Sequence, residues 1–310
     1  LTPQAFENAV MAGLALSASI NLVRHLQAIA AEARCPVDIY ELYDRLGPKI
    51  PLLAAVRPNG ETRIEELEAA GGTLGVMKRL GALIHRDALT VSGRTWGTEI
   101  DVAPESRAVI RTVDHPISRK PSVIVMRGNL APEGSILKVG DAGAKQSLFE
   151  GKALVFTSQE EALAALKAGR LVRGTVAVLA GMGCRGGPGM ALASGFVAAV
   201  DGAGLSTMVA VITDGQLSGL NRGIAIGQVA PEAALGGPLG LVRDGDAITI
   251  DMEAHRVTLE VGEAELASRR ATLKPHKGAD ERGWLHIYAQ VVQPITKGAI
   301  LVGPARDTAA

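Results

Sequence analysis

The sequence predicts an α/β fold, with a mainly helical segment over residues 1–115 joined to a β-rich, mixed α/β region over residues 116–310. Three observations predict it. Apolar residues recur three and four apart before residue 115, as in Leu22, Leu26 and Ile29. Short β-branched runs separated by glycine follow Pro116 and Pro121. Hydrophobic residues make up 47% of the 310 and charged ones 21%, enough apolar material to fill a core.

Residues 5–33, rich in Ala, Leu, Glu and Gln, read as one helix that Cys35-Pro36 ends. Residues 61–70 form a second helix stopped by Gly71-Gly72, and residues 74–80 a short third one. Beyond Pro121 the runs 122–126, 152–156, 175–179, 208–212 and 239–242 read as strands. Asp244-Gly245 marks a tight turn, and residues 247–252 and 256–261 alternate with period two as a hairpin around Glu253-Ala254. Ser158 with Glu161 three residues later is a capping box that opens a helix, and Gly169 supplies its stop. Residues 264–271 make a further helix, and no internal repeat appears.

Acidic and basic side chains balance at 32 each, which argues against a basic nucleic-acid footprint and against an acidic tail. No apolar run approaches the ~18 residues of a membrane span; the longest, residues 195–215, is cut by Asp201. Cys35 and Cys184 are too few for a disulfide framework, or for a cysteine-held Fe–S cluster or zinc site within this chain alone. The expectation is a soluble chain in a reducing cytoplasm. Because it begins at Leu1 without signal-peptide character, it reads as part of a longer product or as a processed chain.

Glycine is unusually frequent, at 37 residues, and it gathers in loops that follow strands. After residues 175–179 comes Gly181-Met182-Gly183-Cys184-Arg185-Gly186, a G-x-G-x-x-G with Asp201 about 20 residues on, as dinucleotide folds have. We read it as a decoy, because Gly187-Pro188-Gly189 stands where the phosphate-facing helix would start and leaves little chain for it before Phe196. A loop that turns backbone N–H groups toward a carboxylate, or a glycine turn without ligand, fits the same residues. Thr213-Asp214-Gly215-Gln216-Leu217-Ser218-Gly219 ends another strand, where α/β folds place chemistry. Ser218 could be a nucleophile, a base or a turn-capping hydroxyl; the order is not that of a G-x-S-x-G elbow, and no histidine lies within 30 residues. The six histidines show no metal-ligand spacing, Cys184 reads as a small buried residue, and Asp244-Gly245-Asp246 with Asp251 as a turn rather than a calcium loop.

Taken together, the loops resemble one family along almost the whole chain, the dihydroxy-acid and sugar-acid dehydratases, which include 6-phosphogluconate dehydratase. The early matching stretches are Leu1-Thr2-Pro3-Gln4-Ala5-Phe6-Glu7-Asn8-Ala9, Ser19-Ile20-Asn21 ahead of His25-Leu26, Asp87-Ala88-Leu89-Thr90-Val91-Ser92-Gly93 and Arg127-Gly128-Asn129-Leu130-Ala131-Pro132. The later ones are Gly186-Gly187-Pro188-Gly189-Met190, Thr213-Asp214-Gly215 with Ser218-Gly219, and Val229-Ala230-Pro231-Glu232-Ala233-Ala234 with Gly236-Gly237-Pro238.

The resemblance implies that residues 1–115 are the helical end of an N-terminal α/β domain and residues 116–310 a β-barrel-like domain similar to the swivelling domain of aconitase. It implies loss of water from a 2,3-dihydroxy carboxylate or sugar acid to give a 2-keto acid. It also implies an Fe–S cluster, Mg²⁺ and a serine base, with Ser218 in the serine's place. Ser19, Asn21, Gly189, Met190, Thr213 and Gln216 fall at substrate-binding positions. The family's cluster cysteines, metal-binding aspartate and modified lysine lie upstream of where this chain starts. The glutamate in the family's Mg²⁺-ligand place is here Leu192, which cannot coordinate a hard cation. Further departures are Met182 for a glutamate, Ser17-Ala18 for Gly-Gly, Gln216-Leu217 for Arg-Phe, and Gln228 for histidine. The resemblance therefore implies a chain that does not hold the metals alone and works with a missing N-terminal part, in cis or in trans, in a homo-oligomer. The alternative is a catalytically silent homologue that serves as a binding or assembly subunit.

Overall fold

The computed structural model describes residues 1–57, 59–104, 108–138, 146–187, 193–217, 223–273 and 282–303. Eight strands close into a barrel with the order β1-β2-β6-β5-β4-β3-β7-β8. These are β1 (Val123–Gly128), β2 (Ala131–Lys138), β3 (Leu148–Phe156), β4 (Thr175–Leu179), β5 (Val209–Thr213), β6 (Ile224–Ala230), β7 (Ala247–Asp251) and β8 (Arg256–Leu259). The sheet is mixed. Strands β3 to β6 run parallel in the order β3-β4-β5-β6, whereas β1–β2, β2–β6, β3–β7 and β7–β8 are antiparallel. A single parallel pair, Arg127 with Arg256, closes the ring.

The side-chain period of two divides the core. Ile124, Leu137, Ala153, Val176, Ala210, Ile226, Ile250 and Val257 come one from each strand and pack together, filling the barrel. Their chain neighbours Val125, Ile136, Ala177, Val211 and Ala225 face a second core shared with helices. Strands β4, β5 and β6 are buried on both faces, which is why β4 and β5 read as near-continuous apolar runs rather than alternating ones. The β7–β8 hairpin alternates in burial, as its sequence predicts.

Residues 1–110 supply the outer helices α1 (Pro3–Ala15), α2 (Asn21–Glu32), α3 (Ile39–Leu46), α4 (Ile64–Ala69), α5 (Gly72–Leu80) and α6 (Trp96–Asp101). Among these, α3 packs on β1. The crossover helices α7 (Gln159–Lys167) and α8 (Ser194–Gly202) return the chain from β3 to β4 and from β4 to β5, and α9 (Glu263–Ala271) and α10 (Trp284–Val291) follow the hairpin. Ser158 caps α7 by accepting from the Glu161 amide at 3.2 Å, and Gly169 ends it with φ 70°.

Two expected elements are corrected. The single helix over residues 5–33 is two, because the backbone reverses at Ser17 (φ 51°), where Lys138 from β2 donates to the Ser17 and Ala18 carbonyls at 3.0 Å each. The strand expected over residues 239–242 is a 3-10 turn, Pro238–Leu241, because Pro238 at its first position fixes a helical φ. The structure adds α3, α6, α10, β2 and β6, none of which the local pattern identifies. Asp201 lies in the last turn of α8, so it is not the strand-end acid of a dinucleotide site.

Candidate active site at the rim of the parallel strands

Parallel strands present their carboxyl ends on one side, the usual place for a ligand in α/β folds. Here β6, β5 and β4 lie side by side, and their following loops begin at Pro231, Asp214 and Ala180. The middle loop ties the other two. Asp214 Oδ1 accepts from the Met182 amide at 2.8 Å, and Oδ2 accepts from the Gly181 amide at 3.0 Å and the Ala233 amide at 2.8 Å. Glu232 Oε1 accepts from the Arg185 and Gly186 amides at 2.8 and 3.1 Å. Both carboxylates are buried.

Burial pushes the Asp214 and Glu232 carboxyls above their usual range; the backbone N–H groups oppose this at both, and the charge of Asp214 adds to it at Glu232. The G-x-G-x-x-G after β4 thus surrounds carboxylates of the protein itself. Gly183 has to be glycine, since a Cβ there would overlap Glu232 Oε2. Burial pushes the Cys184 thiol up to about 12, with Glu232 adding to it, which disfavours the reactive thiolate.

Thr213 Oγ1 accepts from the Gly215 amide at 3.0 Å and closes the turn that opens the middle loop. Gln216 follows, buried, with Oε1 accepting from Gln228 Nε2 at 3.2 Å. Gln228, on β6, accepts from the hydroxyl of Tyr40 on α3 at 3.4 Å. A chain of polar side chains therefore runs from the helical layer through the barrel wall to the loop that leads into residue 218.

The comparisons with known proteins cover nearly the whole chain. Residues 1–99 match the family model described as the dihydroxy-acid/6-phosphogluconate dehydratase N-terminal region, and residues 108–299 match the corresponding C-terminal region. The chain belongs to the dihydroxy-acid/6-phosphogluconate dehydratase family. It is 45% identical over 304 residues to a dihydroxy-acid dehydratase of Pyrococcus furiosus, which covers 97% of this chain and 55% of the relative. A dihydroxy-acid dehydratase of Ignicoccus hospitalis is 43% identical with the same coverage, and one of Pelobacter propionicus is 43% identical over 97% of this chain and 54% of the relative. The chain spans about half the length of the curated relatives it matches.

The site residues expected of a dehydratase chain divide into two places. Thr213 and Gln216 stand together on the loop after β5. Ser19 and Asn21 stand together at the start of α2, with Ser19 Oγ accepting from the Asn21 amide at 3.3 Å. No hydrogen bond joins the two pairs among the described residues. Ile20, between them, is a core residue. Gly189, Met190, Leu192 and Ser218 lie outside the described residues. Asp214, Glu232, Gly183, Tyr40, Gln228 and Lys138 were not expected as site residues; the signal that could have found the carboxylates is an acidic residue directly after an otherwise apolar strand, beside glycines.

Among the described residues no three His, Cys, Asp or Glu side chains come together in a way that would hold a metal ion. Asp214 and Glu232 spend carboxylate oxygens on backbone N–H groups, and burial disfavours the Cys184 thiolate. These residues do not fit an Fe–S cluster or Mg²⁺ by themselves. The middle loop contributes instead a hydrogen-bonded backbone and a buried amide side chain, Gln216.

Proposed function

We propose that this chain is the barrel-bearing part of a hydro-lyase that removes water from a 2,3-dihydroxy carboxylate or sugar acid to give a 2-keto acid. The base is Ser218, which takes the proton from C2. The electron pair of that C–H bond becomes the C2–C3 double bond as the C3–O bond breaks and the hydroxyl leaves as water. The enol that results takes a proton at C3 and becomes the ketone. Serine takes that proton as its alkoxide, which forms when its hydroxyl loses a proton beside positive charge that lowers its pKa, and that charge comes from outside these residues. Ser19, Asn21, Gly189, Met190, Thr213 and Gln216 bind the hydroxy acid. The family's cluster and Mg²⁺, if this enzyme uses them, are held mainly by an N-terminal part in cis or in trans, and the protein works as a cytoplasmic homo-oligomer.

The observation that supports this reading is the fixing of the loop before residue 218. Asp214 pins its first residue to the loops of both neighbouring strands, so the chain enters position 218 from an immobile base. Prepaid positioning of this kind is what a catalyst needs of a base on a loop. The test is formation of 2-keto acid by the full-length protein, purified without oxygen, from D-glycerate, 2,3-dihydroxybutanoate, D-gluconate and 6-phosphogluconate. Turnover of at least one of them is expected; no product from any would overturn the proposal in favour of a silent homologue.

A further inference from the structure

The polar chain inside the rim has a direction. Tyr40 donates its hydroxyl to Gln228 Oε1, and Gln228 Nε2 donates to Gln216 Oε1. The last member, Gln216 Nε2, is buried and has no acceptor among the described residues. The three side chains are 2%, 0% and 5% exposed, so bulk solvent does not reach them. Folded proteins rarely leave a buried amide N–H unpaired, because its loss of water is not compensated. Each earlier link in this chain uses a donor on an acceptor, so what remains at the end is a donor.

The middle member is held under strain. Gln228 has φ 57°, a conformation side-chain-bearing residues seldom adopt, and its own amide donates to the Gly215 carbonyl at 3.0 Å. That bond anchors Gln228 to the same loop that carries Gln216. Positions 216 and 228 are also two of the departures from the family pattern noted above. In the structure these two departures are one hydrogen bond.

We infer that Tyr40, Gln228 and Gln216 form a relay in which Gln216 Nε2 donates a hydrogen bond to an oxygen of the bound hydroxy acid, while Gln228 and Tyr40 are positioning residues that fix which end of the Gln216 amide faces it. The inference rests on the dehydratase reading and adds to it the group that orients the substrate. A neutral N–H donor suits a carboxylate or hydroxyl oxygen, the polar atoms that a hydroxy acid carries. Gln216 also stands two positions along the chain from the proposed base, so an oxygen held there is tied to the loop that performs the chemistry.

The test uses the full-length protein with Gln216→Leu, Gln228→Leu, their double variant and Tyr40→Phe, and the best substrate from the panel above. Gln216→Leu is expected to raise KM by roughly 10- to 100-fold with kcat changed far less, the loss of one hydrogen bond to a charged or polar oxygen. Gln228→Leu is expected to raise KM alike, the double variant no further than the worse single one, and Tyr40→Phe in the same direction by less. Without substrate, Gln216→Leu strands only the Gln228 Nε2 donor, because its own Nε2 has no partner to lose, and should lower Tm less than Gln228→Leu, which strands both the Tyr40 hydroxyl and Gln216 Oε1. Unchanged KM in Gln216→Leu, additive effects in the double variant, or a fall in Tm for Gln216→Leu as large as that for Gln228→Leu would each overturn the inference. If the wild-type protein turns over nothing in the panel, the dehydratase reading fails separately; the Tm comparison then decides whether the terminal donor is free or already paired.

Discussion

Two polar clusters a few residues apart at the barrel rim are built in opposite ways. Around Asp214 and Glu232, five backbone N–H groups converge on two carboxylates, and three loops are locked together. Along Tyr40, Gln228 and Gln216, three neutral side chains hand hydrogen bonds from one to the next, and the last donor is left over. The first cluster is closed on itself and holds the backbone. The second is open at one end and offers something to a ligand. Burial alone does not separate structural polar groups from functional ones; the count of unmet donors and acceptors does.

The largest effect that sharpens this contrast is expected from Asp214→Leu. It strands three buried amides at about 1–3 kcal/mol each, a large part of a domain's total stability of about 5–15 kcal/mol. Urea denaturation should show the barrel unfolded or barely stable. Glu232→Leu strands two amides and should cost less. If both variants unfold at the wild-type urea concentration, the closed cluster is not what holds the loops.

A smaller effect tests Lys138, a buried cation that donates to the two carbonyls of the Ser17 turn. Burial lowers its ammonium to about 8, from the 10.5 of an unfolded chain. Between those values the unfolded chain holds the proton and the folded one releases it. Stability should therefore gain a rising contribution as pH increases from about 8 to 10.5, and lose it as pH falls back. Melting temperatures of wild type and Lys138→Met across that range should differ in slope; parallel curves would mean that the lysine is solvated. Within the open cluster, Gln216→Leu strands only the Gln228 Nε2 donor and should cost the free protein less stability than Gln228→Leu, which strands two partners.

Much of the fold is legible in the sequence where the cause is local. Residues 175–179 are β4 to the residue, because a β-branched run between glycines is buried on both faces. Ser158, Glu161 and Gly169 announce both ends of α7. The break at Ser17 is not legible: the stretch around it is rich in Ala and Leu, with no glycine or proline at the bend, and the group that holds the turn open comes from Lys138, 121 residues away. Strand β2 hides behind Pro132, Glu133 and Gly134, and its register with β6 is set only when the barrel closes.

The site follows the same division. The loop Thr213-Asp214-Gly215-Gln216 stands out as a motif, yet its chemistry depends on partners that sequence spacing does not reveal. Gln228 is 12 residues from Gln216, and Tyr40 is 188 from Gln228. Asp214 looks like a turn residue until its amide partners on the two neighbouring loops are seen. Long-range pairing of this kind is a property of the closed barrel, not of any segment within it.

The most direct measurement is the rate of 2-keto acid formation by the full-length protein before and after Ser218→Ala, with urea stability measured on both. The account predicts loss of turnover by roughly 100-fold or more, the scale of removing a general base, with the unfolding midpoint unchanged. Equal turnover by the two proteins would show that the proton at C2 is taken by another group.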